Sequence, residues 1–420
     1  MNFTRERMII YCDTALAGLL YLLVILTPFS IAVTSILPVI MVLIVIIKKS
    51  LKPDFAAFKA PDLLVFYAFL AFSLLSVVNS GPYTTKTLSF FFGRWLKNAL
   101  IFLMVQDILI KYSRVKKIVW CSLGTGVILS LDGFFQKYWG YDVFAHQPLV
   151  DVGRGLSGIS ATFGNYNSLG IVLAVLLLFA ISLLIPKRSW DWPRAVMLPL
   201  IVLFVYGLYW TYSRGSWVAV ILGMLAMVFL SKRFHIAFFV LAAFVGCLFL
   251  SPRGWERFLF IFQTGGDQGR YAYWKIAWHL VQQHPILGNG LGTFGPRFFA
   301  ETPIYGKMYA HNSFLQIWME AGFLSILSLV VFLLWNLAKS VRTLWKHCDA
   351  YLLALFCGIL GWLVRAFFDN DFYSVQLSAL FWLLLGTLRS AEILVRGQRI
   401  NPVCQNSLPA LAGEAKPVDE

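Results

Sequence analysis

Apolar stretches of about 20 residues recur along the whole chain, separated by short polar breaks, and each is long enough to cross a bilayer as a helix. Boundaries drawn at the breaks give twelve spans, near 8–29, 33–47, 62–79, 95–110, 118–137, 166–185, 195–211, 216–230, 234–250, 313–337, 349–368 and 375–394. Helices of this length satisfy their own backbone polar groups in lipid, so the pattern predicts an all-α integral membrane protein. One break is long. Residues 251–312 separate the ninth and tenth spans, and a connection of that size has a function or structure of its own. Within it, GRYAYWKIAWHLVQQHP places Arg270, Trp274, Ala277, Trp278 and Val281 on one helical stripe, with Lys275, His279 and Gln282 opposite. That spacing predicts an amphipathic helix near 270–283 with tryptophans suited to a membrane interface.

Composition agrees with the pattern. Of 420 residues, 59% are hydrophobic and 13% charged, against roughly 45–50% and 25% in soluble domains. Lysine and arginine gather in alternate loops: Arg5 and Arg7; Lys48, Lys49, Lys52 and Lys59; Lys111, Arg114, Lys116 and Lys117; Lys187, Arg188 and Arg194; Lys232 and Arg233; Lys339, Arg342 and Lys346. The short intervening loops hold little beyond Lys86, Arg94, Arg154 and Arg214. The rich side is expected to be cytoplasmic, with both termini there and the 251–312 loop outside. The net charge of +15 is then a topology signal and gives no reason to invoke nucleic acid. The first span resembles a signal peptide, but its apolar run is too long and reads as a retained helix. None of the six cysteines falls in an outward loop, so no disulfide framework is expected. The organisation is one polytopic membrane domain over 1–400 and a disordered cytoplasmic tail over 401–420, rich in proline and glycine.

Chemistry-bearing residues collect on the outward side. In TYSRGSW, Arg214 stands between two uncharged spans. Ser213 or Ser216 can cap the following helix, and Gly215 leaves room for a ligand to approach the backbone. A planar five-donor guanidinium at a helix N-terminus suits phosphate or carboxylate, although a hairpin arginine also serves merely to cap turn carbonyls. Arg270 opens the amphipathic helix on its apolar stripe, so it either snorkels or meets an anion. In YAHNSFLQIWMEAGF, His311 lies just outside the tenth span and is able to exchange a proton near neutral pH, with Asn312 or Ser313 capping the span. Glu320, two turns inside, needs a partner in lipid, and Arg365 or a helix end would serve. Asp132 is placed similarly. DND at Asp369 to Asp371 mimics a metal-binding pattern, but no metal is assigned. GNGLG at 288–292 follows no strand, so it is read as a tight loop near the lipid head groups.

The order YSRGSW, GRYAYWKIAW…HPILGNGLGTF, HNSFLQIWMEAGF resembles the O-antigen ligase and O-antigen polymerase superfamily. GRGLSGISATFGNYNSLG upstream and FFDNDFYSVQLSALFWLLLG downstream also fit its pattern. The resemblance implies a metal-independent, cofactor-free glycosyltransferase of the bacterial inner membrane, acting in lipopolysaccharide biosynthesis. Its donor is a glycan on undecaprenyl pyrophosphate, and its acceptor is a sugar hydroxyl, in the ligases one on the lipid A core. Arg214 and Arg270 carry over as contacts to the pyrophosphate and His311 as the general base. Asn165 and Asn167 match the family's asparagine pair, with Tyr166 where the family often has proline. Arg154 and Asn312 join them as candidate substrate contacts. Two other readings stand beside the ligase. A polymerase of the same superfamily usually has two sizeable outward loops, whereas here 138–165 is short and 251–312 dominates. A transporter would place ionisable groups near the midplane and show internal repeats, and no clear repeat is found.

Overall fold

The computed structural model describes residues 2–397 apart from 154, 186–191, 232–237, 239–241, 243, 247–267 and 302–308. The described chain is helical throughout, with one small antiparallel hairpin, β1 (Val150–Asp151) and β2 (Ser157–Gly158). The helices are α1 (Asn2–Leu26), α2 (Ile31–Leu51), α3 (Leu63–Leu75), α4 (Thr84–Phe90), a π-helical turn (Phe91–Leu96) leading into α5 (Lys97–Ile108), α6 (Tyr112–Trp139), α7 (Tyr166–Leu184), α8 (Trp192–Thr211), α9 (Arg214–Leu230), α10 (Gln268–Gln283), α11 (Phe294–Glu301), α12 (Ser313–His347), α13 (Ala350–Ala366) and α14 (Val375–Gly397). Among them, seven helical stretches are long and apolar enough to cross a membrane, and four shorter apolar ones cover 63–79, 195–211, 214–230 and 350–366. These eleven fall on eleven of the twelve spans read from the sequence. The remaining span, 234–250, lies mostly outside the described residues, as do Arg154, the segment 251–267 and the tail 401–420.

Helix α7 is the centre of the bundle. Every side chain from Leu169 to Ser182 is buried, so this helix is apolar all round rather than on one stripe, as a helix enclosed by others must be. Glycines on its neighbours allow the close approach. A Cβ at Gly223 of α9 would lie 2.6 Å from Leu178, and one at Gly358 of α13 would lie 2.6 Å from Phe179. Small residues at helix contacts are the usual way to bring backbones together in lipid.

Polar residues mark the two ends of the bundle. At the lysine-rich end, Lys48 pairs with Asp13 at 2.7 Å and with Asp107 at 2.8 Å, joining α1, α2 and α5. Arg389 forks onto Asp62, which also takes Lys339 at 2.8 Å. At the other end the helix starts are capped: Ser30 accepts from Val33 N, Asn165 from Asn167 N and Ser168 N, and Asn312 from Leu315 N. Each cap satisfies N–H groups that have no partner within their own helix.

The tenth span departs from a simple helix. Helix α12 runs over 35 residues but is broken at Gly322, where φ is +84° and ψ is 173°. The glycine loop 288–292 docks into the break. Asn289 N donates to Met319 O at 3.0 Å, Gly290 N to Glu320 O at 2.9 Å, and Phe323 N to Pro285 O at 2.9 Å. The freed backbone groups thus find partners in the loop, which is what irregular backbone inside a membrane protein requires. The loop is therefore packed against a spanning helix.

Gly322 has no substitute at this crossing. A Cβ there would lie 2.2 Å from the Ile286 carbonyl oxygen, on a backbone with positive φ. Gly322→Ala should destabilise the protein by more than about 2 kcal/mol, measured as thermal unfolding in detergent. Gly124→Ala, where a Cβ meets nothing within 4 Å, should be neutral or stabilising.

Candidate functional site

The YSRGSW turn joins α8 to α9. Tyr212 adopts a left-handed backbone (φ +54°), which reverses the chain tightly. Ser213 is the residue before the first helical turn, and Arg214 is the first residue of α9. The Ser213 hydroxyl does not cap the helix as expected. It donates to Asn167 Oδ1 at 2.9 Å and lies 2.8 Å from Ser216 Oγ, so it ties the start of α9 to the start of α7. Gly170 makes the approach possible, because a Cβ there would be 2.7 Å from Ser213 Cβ. Asn165 and Asn167, matched to the family's asparagine pair, thus both have defined local roles: one caps α7, the other links α7 to α9. Gly215 admits the Arg365 side chain, whose Cδ would be 3.0 Å from an added Cβ. The sequence reading had left that space for a ligand.

Arg365 is 1% exposed and stands near the end of α13. A buried guanidinium requires carboxylates, and the DND turn supplies them. Its Nη2 donates to Asp369 Oδ2 at 2.7 Å, and its Nη1 lies 3.6 Å from Asp371 Oδ1. Asp369 then serves two other elements. His311 Nδ1 lies 3.2 Å from its Oδ1, while its backbone oxygen accepts from Ser313 N at 3.1 Å and Ser313 Oγ at 2.8 Å. His311, with φ +49°, sits on the turn before α12 and packs against the Tyr273 ring of α10 at 5.6 Å. Arg270 is one turn earlier on α10. Four separate motifs therefore meet: the start of α9, the start of α12, the end of α13 and the first turns of α10.

The electrostatics of the two aspartates diverge. Burial alone would raise Asp369, but Arg365 and His311 hold its carboxyl well below the usual carboxylate range. Burial pushes Asp371 up to about 7, helped by the neighbouring Asp369 charge and only partly opposed by Arg365. DND is thus an anchor for Arg365 and His311.

Glu320 is fully buried and takes a helix end, as one of the two expected partners, while Arg365 is engaged elsewhere. Its carboxylate accepts from Gly292 N at 2.7 Å and Phe294 N at 3.0 Å, at the start of α11, and from Gln316 Nε2 at 3.2 Å. Gln316 Oε1 accepts in turn from Ala310 N at 3.1 Å and from Asn370 Nδ2. A chain of polar contacts therefore runs from the glycine loop through Gln316 and Asn370 to the His311–Asp369 pair. Asp132 also has a local partner, Val143 N at 2.8 Å, which holds the 140–150 loop.

The amphipathic helix forms as α10, and its buried face shares Ala277 and Val281 with the stripe read from the sequence. Ala277, Leu280 and Val281 are buried, whereas Trp278 is exposed and meets Trp318 edge-on at 5.4 Å. The docked glycine loop also bonds this helix: Asn289 Nδ2 donates to Leu280 O at 2.8 Å.

A cavity of about 570 Å³ opens beside this network, lined by Lys86, Arg94, Tyr309, Gln316, Glu320 and Tyr373 among others. Lys86 and Arg94, isolated outward charges in the sequence, become functional candidates through this cavity. Lys86, Phe90 and Arg94 follow an i, i+4, i+8 spacing, which puts both cations on one face of α4 and its π-turn. Arg94 Nη1 donates to Tyr373 O.

Asp371 leads to a pH prediction. Its carboxyl binds its proton more tightly folded than unfolded, so the folded state holds more protons between about pH 4 and 7. Its contribution to stability is complete at low pH and is lost as pH rises toward 7. Asp371→Asn should therefore melt higher than wild type at pH 7, with the difference shrinking toward pH 4; thermal melts across that range check it. A constant difference would remove the assignment.

Two likenesses to known proteins bear on this region. Residues 199–330 match the model of a family described as O-antigen ligase. A protein of Salmonella typhimurium named O-antigen ligase is 27% identical over 153 residues, covering 33% of this chain and 38% of the relative's length. Residues 199–330 are thus similar to the O-antigen ligase family, and this segment holds Arg214, Arg270, His311 and Glu320.

Proposed function

We propose that this protein transfers a glycan from undecaprenyl pyrophosphate to a sugar hydroxyl of the lipid A core, on the periplasmic face of the bacterial inner membrane. The observation that carries the reading is the contact of His311 with Asp369, itself held by Arg365 against the helix start that bears Arg214. A histidine, a carboxylate that orients it and an arginine at a helix N-terminus are the parts that a base-assisted displacement of pyrophosphate needs. The ligase is preferred to the polymerase because the matching family and the Salmonella relative both bear the ligase name.

In this reading Asp369 accepts a hydrogen bond from His311 Nδ1–H, which fixes the tautomer and leaves Nε2 as the basic nitrogen. Nε2 takes the proton of the acceptor hydroxyl as its oxygen bonds to the anomeric carbon. The bond from that carbon to the pyrophosphate oxygen breaks, and negative charge grows on the leaving group. Arg214 and Arg270 stabilise that charge, an effect larger in the transition state than in the ground state. The free N–H groups at the start of α9 point the same way. Asn165, Asn167 and Asn312 shape the rim beside them. The cavity holding Lys86 and Arg94 gives the donor head group a cationic volume. Because the cations are protein side chains, the reaction needs no metal.

Orientation is open to a direct test. In a cysteine-free background, a cysteine at exposed His146 should react with an impermeant thiol reagent applied to intact periplasm-accessible cells, and one at exposed Lys346 should not. Reversed labelling would place His311 on the wrong side for its substrate.

The arginine assignment predicts that Arg214→Lys loses most transfer activity while inserting and accumulating normally, since a point charge does not replace a bidentate fork. Near-normal transfer in vitro by the lysine variant would remove Arg214 from the pyrophosphate.

For the base, His311→Ala should slow the chemical step by about 10²–10⁴ while donor affinity stays close to wild type. Joint loss of affinity and rate would assign the proton to another group.

A further inference from the structure

His311 stands on a backbone that its own side chain disfavours. Its φ of +49° lies in the left-handed region, where a Cβ crowds the following carbonyl oxygen. A residue persists there only when its surroundings over-determine it, and such residues cluster at active sites. Two hydrogen bonds flank this one. On the C-terminal side, Ser313 N donates to Asp369 O at 3.1 Å. On the N-terminal side, Ala310 N donates to Gln316 Oε1 at 3.1 Å. The second bond comes from a side chain in the first turn of α12 that reaches back past the start of its own helix.

Gln316 is buried, and its amide has one orientation. Oε1 accepts from Asn370 Nδ2 as well as from Ala310 N, while Nε2 donates to Glu320 Oε1 at 3.2 Å. A flipped amide would set its NH₂ against two donors and its oxygen against a carboxylate. Glu320 is itself held by Gly292 N and Phe294 N, so the amide is fixed from behind. Asn370 N donates to Asp369 Oδ1 at 3.0 Å. The amide that holds the His311 backbone is therefore tied to the turn that orients the His311 ring. Asp369 fixes Nδ1, but the direction of Nε2 also depends on where Cα and Cβ of residue 311 sit, and Gln316 acts on that.

We propose that Gln316 is a positioning residue for His311: its amide holds the histidine in the left-handed turn, so that Nε2 meets the acceptor hydroxyl while Nδ1 stays on Asp369. The inference rests on the base named under Proposed function. Without the amide, residue 311 relaxes toward negative φ, its Cβ swings, and the ring leaves the geometry that proton transfer needs. Donor binding is untouched by this, because the pyrophosphate contacts Arg214 and Arg270 lie on α9 and α10.

The test uses the purified full-length protein in nanodiscs, with a lipid-linked glycan as donor and a lipid A core as acceptor. Gln316→Met keeps the side-chain length and removes all three hydrogen bonds. Its kcat should fall about 10- to 100-fold, as for a slightly misplaced catalytic group. Both KM values should stay within about twofold of wild type, since ground-state binding is unchanged. The decisive measurement is a double-mutant cycle with His311→Ala. In that background Gln316→Met should cost nothing further, because its effect passes through the imidazole. Gln316→Glu keeps an oxygen toward Ala310 N and Asn370 and shares a proton with Glu320, so it should recover most of the wild-type kcat. Gln316→Asn, one methylene short of Ala310 N, runs the same cycle if the methionine variant does not accumulate. Equal losses in both backgrounds would make the amide merely structural and overturn the proposal. So would a raised KM with kcat intact, or a glutamate variant as slow as the methionine one. Wild-type transfer by His311→Ala alone would instead sink the base reading, and that result needs no Gln316 variant.

Discussion

A guanidinium that is almost wholly withdrawn from water organises this molecule. Arg365 is 1% exposed in the bundle, and a charge so placed is tolerable only with carboxylates and hydrogen bonds around it. Asp369 and Asp371 meet that need, and in doing so they pin the turn between α13 and α14. Asp369 then has one oxygen and one backbone carbonyl to spare, and these take His311 and Ser313 from the start of α12. The arginine stem lies on Gly215, next to Arg214. Removing the Asp369 carboxylate would leave a buried charge and would also release His311 and the start of α9. The stability of this end of the protein and the placement of its chemistry are therefore the same problem.

A second constraint comes from lipid. Helix α12 is interrupted at Gly322, and an interrupted helix exposes backbone groups that hydrocarbon does not satisfy. The loop HPILGNGLG fills the break with its own N–H and C=O groups, and Glu320 clamps it through Gly292 N and Phe294 N. Glu320 is in this way a structural carboxylate on the glycine loop that also lines the cationic cavity. Its link through Gln316 and Asn370 couples the loop to His311 without any direct contact between Glu320 and the histidine.

The two ends of the bundle use charge differently. At the lysine-rich end, Asp62, Asp107 and Asp13 neutralise Lys48, Lys339 and Arg389 in closed clusters that join helices distant in sequence. At the His311 end, cations outnumber the described carboxylates around the cavity, where Lys86 and Arg94 face Glu320. The first arrangement holds helices together. The second leaves net positive field in a concave volume, which favours an anionic ligand.

Much of this was legible in the chain alone. Apolar length and lysine distribution are properties of single segments, so eleven spans, the cap at Asn312, and the amphipathic helix beginning near Arg270 could be read directly. Order and spacing of motifs also carried the resemblance to the O-antigen ligases. Other features depend on which segments touch, and no local pattern encodes that. The hydroxyl of Ser213 had a helix to cap and bonded Asn167 instead, because α7 lies against it. Gly215 had room for any partner, and Arg365 from 150 residues away took it. DND had the form of a metal motif, yet a buried arginine made it an ion-pair anchor. Lys86 and Arg94 were isolated charges until the π-turn and the glycine loop enclosed a cavity around them. Sequence determined what each helix is, since burial in lipid is decided residue by residue. Tertiary structure decided what each polar group does, since a buried donor or charge takes whichever partner the packing brings within reach.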